Sequence, residues 1–126
     1  MAKKAIISKD APAAIGPYSH ACESNGFVFV SGQLGINHET GALEPTVENQ
    51  AERSLANTRA ILSGIGLDLS SIVKTTIFLT DMKDFAAVNA VYADFFDGAF
   101  PARSCIAVKA LPLGGLVEIE SVAARG

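Results

Sequence analysis

Cysteine is scarce in this sequence: Cys22 and Cys105 are the only two in 126 residues. That excludes a disulfide framework, and their separation fits no paired-thiolate metal spacing. The two histidines, His20 and His38, are too few and too far apart to suggest a metal site, and both read as ordinary polar positions. Long apolar runs are also missing. The best of them, such as Phe27 to Val30, falls far short of the ~20 residues needed to cross a bilayer. Lys3 and Lys4 are followed by only Ala5, Ile6 and Ile7, too short a stretch for the core of a secretion signal. Positive charge is not in excess, because 10 Lys and Arg stand against 13 Asp and Glu, a net charge of −3. Such a balance gives no general attraction for phosphate backbones or anionic lipid, so neither nucleic acid nor membrane is an expected partner. Neither a Gly-x-Gly-x-x-Gly turn nor a phosphate-loop pattern occurs, and nucleotide cofactors have no support. A cytoplasmic chain is the expectation.

What is present is a rich apolar complement. Hydrophobic residues make up 49% and charged residues 18%, which fits a folded domain and not a disordered segment. No repeat, linker or low-complexity tract divides the chain, so residues 1–126 read as a single domain. The mean hydropathy of +0.32 is high for a domain whose small size should demand a more polar surface. Apolar surface covered by other subunits is the expected reason.

Short strands are predicted over 4–8 and 17–22, parted by turn residues around Pro12 and Gly16-Pro17, and a Phe/Val-rich strand over 26–33. Val47, Ala51, Leu55, Thr58, Ile61, Leu62 and Ile65 recur at helical spacing, with Pro45 and Thr46 as start signals, and predict a helix over 46–64. A β-branched and aromatic strand over 72–80 follows. Asp81 is the expected cap of a second helix over 83–97, ended by Gly98 and Pro101. Strands over 102–109 and 116–124 complete an α+β chain: a mixed β-sheet with two helices packed on one face. Its other face would be apolar and uncovered, a second reason to expect subunit contact.

Alternation along Pro101-Ala102-Arg103-Ser104-Cys105-Ile106-Ala107-Val108 sets Arg103, Cys105 and Ala107 on one face. An arginine in so apolar a strand needs an anionic partner, since guanidinium keeps its charge. That partner is either Glu118 or Glu120 in a structural ion pair, or the carboxylate of a ligand gripped bidentately. Glu118 and Glu120 share a face opposite Val117 and Ile119, as a solvated strand face or as a general acid/base for a water or a substrate nitrogen. Asn89 lies at the edge of the stripe formed by Phe85, Val88, Tyr92, Phe95 and Phe96, and must bond a backbone group or a ligand. Tyr18 offers an apolar wall with a hydroxyl tip. Ser31 and Gly32 end a strand where a ligand can approach the backbone. Cys105 beside Arg103 is either an activated thiolate or an inert small core residue. No Ser/His/Asp arrangement stands out.

Six segments occur in order: Ala13 to Ser19 (Ala-Ala-Ile-Gly-Pro-Tyr-Ser), Val30-Ser31-Gly32-Gln33, Val73-Lys74-Thr75-Thr76, Val88-Asn89, Pro101-Ala102-Arg103-Ser104 and Val117-Glu118-Ile119-Glu120. Together they closely resemble the Rid (YjgF) family of reactive-intermediate deaminases, over nearly the whole chain. The resemblance implies a chorismate-mutase-like fold and a homotrimer with clefts between subunits. It further implies cofactor-free and metal-free hydrolysis of enamines and imines, such as 2-aminoacrylate and 2-iminobutanoate, to 2-oxo acids and ammonia. Pyridoxal-phosphate enzymes acting on serine and threonine release such intermediates. By position, Arg103 is similar to the residue that holds the substrate carboxylate, and Glu118 to the glutamate that orients water. Tyr18, Ser31, Gly32, Asn89 and Cys105 match cleft-lining positions, some of them contributed by a neighbouring subunit. His20 departs from the pattern, where many members have Gln, and the stretch from Phe96 to Pro101 is short. A non-catalytic 2-oxo-acid-binding trimer, acting as sensor or scaffold, is the alternative. The ribonuclease activity attributed to some relatives is opposed by the net charge.

Overall fold

The computed structural model describes residues 3–126. Asn25 and Gly26 both have positive φ, 54° and 81°, the two-residue turn whose twist matches that of paired strands. They join β2 (Ala21–Ser24) to β3 (Phe27–Leu34), with Ser24 opposite Phe27. The turn ends β2 at Ser24, and the strand expected over 17–22 forms instead over Ala21–Ser24, sharing only Ala21 and Cys22 with the expectation. Most of the expected stretch belongs to an irregular strap that follows β1 (Lys4–Ile6) and runs from Ile7 to His20.

Thr46 caps α1 (Val47–Ser63), accepting a hydrogen bond from the Asn49 amide at 3.1 Å. Asp81 caps only a single tight turn over 82–84, through the Lys83 amide at 2.9 Å. The second helix, α2 (Phe85–Phe96), consequently begins two residues later than expected, and Asp97 and Gly98 end it in left-handed conformations. The remaining strands are β4 (Ile72–Leu79), β5 (Ala102–Ala107) and β6 (Val117–Ala124).

The six strands form one mixed sheet in the order β1-β2-β3-β6-β4-β5. Only the β4–β5 pair is parallel, with α2 as its crossover; the others are antiparallel. Val28, Val30, Thr75, Ile77, Leu79, Val117, Ile119 and Ala123 are buried together with Leu55, Ile61 and Leu62 of α1 and Val88, Tyr92 and Phe96 of α2. Each such aliphatic side chain removed from water contributes about 1.5–3 kcal/mol. The opposite sheet face carries Phe27, Phe29 and Ile106, which remain 45%, 52% and 47% exposed in the single chain.

Candidate functional site

The expected site residues fall into two groups. The first is built around a β-bulge. Val30 pairs with Ser121 and Gln33 with Ile119, so Ser31 and Gly32 together oppose Glu120. One extra residue in a strand bends it and re-aims its neighbours. The bulge is fixed by the Ser31 amide donating to the His20 carbonyl at 2.9 Å and by the Ser31 hydroxyl donating to the Ser19 carbonyl at 2.7 Å.

Gly32 leaves room for Glu118. A Cβ at Gly32 would stand 2.8 Å from Glu118 Oε2 and 2.9 Å from its Cδ. The glutamate therefore lies over the bulge, half-buried. Burial pushes its carboxyl above the usual carboxylate range, and the charge of Glu120 on the same face adds to the rise. A cavity of about 360 Å³ opens here, lined by Ser31, Gly32, Glu118 and Glu120 of the sheet and by Pro12, Ala13, Ile15 and Tyr18 of the strap. Tyr18 is 44% exposed, and its hydroxyl accepts from the Ile15 amide at 3.3 Å.

The second group surrounds Arg103. Its Nη1 donates to Asn89 Oδ1 at 2.8 Å, and its guanidinium carbon lies 5.0 Å from the Tyr92 ring centre and 5.6 Å from that of Phe85. These are cation–π distances. Tyr92 is in turn held by a 2.7 Å hydrogen bond between its hydroxyl and that of Thr75. Beside Arg103 is a cavity of about 270 Å³ lined by Asn89, Tyr92, Ala93, Phe100 and Pro101. Among the described residues the ion pairs are Arg53–Glu44, Lys83–Asp81 and Arg125–Glu23. The structural pairing of Arg103 with Glu118 or Glu120 thus does not form. One of the five guanidinium donors is spent on Asn89, whose own partner is now identified, and the fork is stiffened by two rings.

Cys105 pairs with Ile77 on β4 and packs against the core. Burial pushes its thiol pKa up and Arg103 offsets this only in part, so it is not an activated thiolate. Phe85 and Tyr92, read in the sequence as parts of an apolar stripe, prove to be the walls of the arginine. Only their proximity to Arg103 in the fold distinguishes them from core residues.

Arg103 sits beside Thr75, whose side chain is buried under the helices, whereas Glu118 sits beside Phe78, one residue out of phase. The two groups therefore face opposite sides of the sheet. Within one chain the cavity at Glu118 lacks the arginine, and the cavity at Arg103 lacks the carboxylate.

Comparison with known proteins adds the following. A protein-family model described as Endoribonuclease L-PSP matches residues 8–125. The RutC family protein y4sK of Sinorhizobium fredii is 51% identical over 118 residues, 93% of this chain and 94% of the relative. A protein of Salmonella typhimurium named 2-iminobutanoate/2-iminopropanoate deaminase is 46% identical over 125 residues, 97% of this chain and 98% of the relative. The crystal structure of Escherichia coli TdcF with bound serine superposes with a TM-score of 0.93 at 42% identity, over 98% of this chain and 99% of the other.

Proposed function

Because the chain belongs to the endoribonuclease L-PSP family, the Rid or YjgF family, we propose that it hydrolyses 2-imino and 2-enamino acids to 2-oxo acids and ammonia. The site is assembled between copies of the chain in a homotrimer, with Arg103 from one copy and the Glu118 cavity from the next. The observation that carries this reading is an arginine braced by Asn89, Tyr92 and Phe85 with no carboxylate of its own chain. A guanidinium so held is preorganised for an external carboxylate, which every 2-imino acid carries.

The chemistry needs little more. Water adds to C2 of the protonated imine, giving a carbinolamine. Its C–N bond then breaks, the nitrogen leaves as ammonia, and the former water oxygen becomes the 2-oxo group. A carboxyl with raised proton affinity can take a proton from the attacking water and return one to the departing nitrogen. Holding the substrate by its carboxylate makes the attack effectively intramolecular. Tyr18, Ser31, Gly32, Asn89 and Cys105 are the proposed lining residues, and neither metal nor cofactor takes part. The larger cavity is lined by two carboxylates, and with a net charge of −3 this disfavours a nucleic-acid backbone as substrate, whatever the family's description. The fold implied for such a trimer is chorismate-mutase-like, its apolar sheet faces turned inward.

The test follows imine decay. A threonine dehydratase generates 2-iminobutanoate while semicarbazide traps what remains unhydrolysed. This chain should lower the trapped fraction, and Arg103→Ala should not. If neither protein changes trapping, the cleft only binds its ligand, and a non-catalytic 2-oxo-acid-binding trimer becomes the better account.

A further inference from the structure

The strap between β1 and β2 forms neither strand nor helix, yet Ala11 within it is only 2% exposed. His20, itself 3% exposed, ties it down. The Ser8 amide donates to His20 Nδ1 at 2.8 Å, and His20 Nε2 lies 2.8 Å from the Pro12 carbonyl oxygen. These partners fix the ring's proton. An amide can only donate, so Nδ1 keeps its lone pair; a carbonyl can only accept, so Nε2 carries the hydrogen. The imidazole is a neutral splint that spans the strap from Ser8 to Pro12.

The same residue also reaches the other wall. Its carbonyl accepts from Ser31, the first residue of the bulge that carries Gly32 beneath Glu118. One residue thus bonds both the strap wall of Pro12, Ala13 and Ile15 and the wall that holds the carboxyl. The strap is also tied at the cavity by the Ser31 hydroxyl on the Ser19 carbonyl at 2.7 Å and by the longer, exposed contact of the Tyr18 hydroxyl with the Ile15 amide.

We propose that His20 is a positioning residue that fixes the width of the Glu118 cavity, and so selects imino acids with short side chains. The identity of the ligand rests on the function proposed above. The splint itself does not, and the two are tested separately. Any replacement must present an acceptor to Ser8 and a donor to Pro12. Glutamine does so through its amide; leucine fills similar space and does neither.

Two variants, His20→Gln and His20→Leu, are compared with the unaltered protein. Hydrogen exchange at the Ser8 amide reads the splint without reference to activity. Exchange should quicken about 10-fold in His20→Leu, as expected for one partly buried hydrogen bond, and stay slow in His20→Gln. In imine trapping, His20→Leu should raise KM for the shortest imino acid about 10-fold while kcat stays within about twofold, because only uniform binding is lost. Its preference for short over long side chains should shrink, and His20→Gln should restore both. Unchanged Ser8 exchange and KM in His20→Leu, or a His20→Gln that behaves like His20→Leu, overturns the proposal. If the unaltered protein hydrolyses no imine, the proposed function falls, and Ser8 exchange still decides whether the splint exists.

Discussion

Arg103 and Glu118 occupy opposite faces of one sheet. The register sets Arg103 beside Thr75 and Glu118 beside Phe78, and alternation along β4 turns these partners to opposite sides. Within a single chain neither cavity is lined by both groups. The guanidinium stays with α2, bonded to Asn89, and the carboxyl stays over the bulge at Gly32. A substrate that needs both must lie where two copies meet.

The close approach at Gly32 predicts a variant that damages function without damaging the fold. In Gly32→Ala the new methyl would fall 2.8 Å from Glu118 Oε2, and the side chain must swing away. Its end is flexible, so unfolding by denaturant should change by less than about 1 kcal/mol. Imine hydrolysis should fall at least about 10-fold, the scale of a misplaced acid/base group. Adding Gly32→Ala to Glu118→Gln should cost little beyond Glu118→Gln alone, because both act through one carboxyl.

Lysine is not expected to replace the arginine. In Arg103→Lys the charge persists, but the planar fork and its stacking on Tyr92 and Phe85 are lost. The expected fall in kcat/KM is about 10²–10³-fold, equivalent to losing two charge-assisted hydrogen bonds to the substrate carboxylate. Steady-state trapping kinetics measure it. A fall of less than about threefold would mean that the charge suffices and the fork is idle.

The Glu118 carboxyl also leaves a mark on stability. Burial, helped by Glu120, raises its pKa in the folded chain. Between the ordinary carboxylate pKa and the raised one, the native state holds a proton that the unfolded chain has lost. Stability therefore falls as pH rises through that window, and this contribution is flat below it. Glu118→Gln should remove the slope, so the variant's stability relative to the unaltered protein grows with pH across the window. Urea midpoints at several pH values, at fixed protein concentration, test this. A difference that is constant with pH would contradict the buried-carboxyl assignment.

Much of this architecture is legible in the sequence. The apolar spacing from Val47 to Ile65 and the Thr46 cap mark α1 to within a residue at each end. The alternation in β6 puts Glu118 and Glu120 opposite Val117 and Ile119, as burial bears out. What the sequence hides are features made by distant partners. Gln50, Ser54 and Asn57 are buried in α1 because they bond backbone far from them. Ser54 reaches the Gln33 carbonyl at 2.7 Å, Asn57 the Ile36 carbonyl at 3.0 Å, and Gln50 both the Glu44 carbonyl and the Leu116 amide at 2.9 Å. No periodicity reveals such bonds, which read as polar interruptions of an apolar stripe. The bulge at Ser31-Gly32 is equally silent, since it exists only in register with β6. Asn25-Gly26 is a local signal that fixes where β2 ends and β3 begins. Arg103 stood out as a charge in need of a partner, but the partner could not be read from strand neighbours. Its bond to Asn89 is made across the β4–α2–β5 crossover.

The most direct test of a site shared between copies is complementation in mixed oligomers. Arg103→Ala and Glu118→Gln, each inactive alone, are unfolded together in equal amounts, refolded, and assayed by imine trapping. In a cyclic trimer every mixed assembly contains one interface with an intact arginine facing an intact glutamate. Random mixing should then restore about a quarter of the unaltered activity. Continued inactivity, with mass measurement confirming that mixed trimers have formed, would contradict the account, because a site contained within one chain cannot be rebuilt by exchanging subunits.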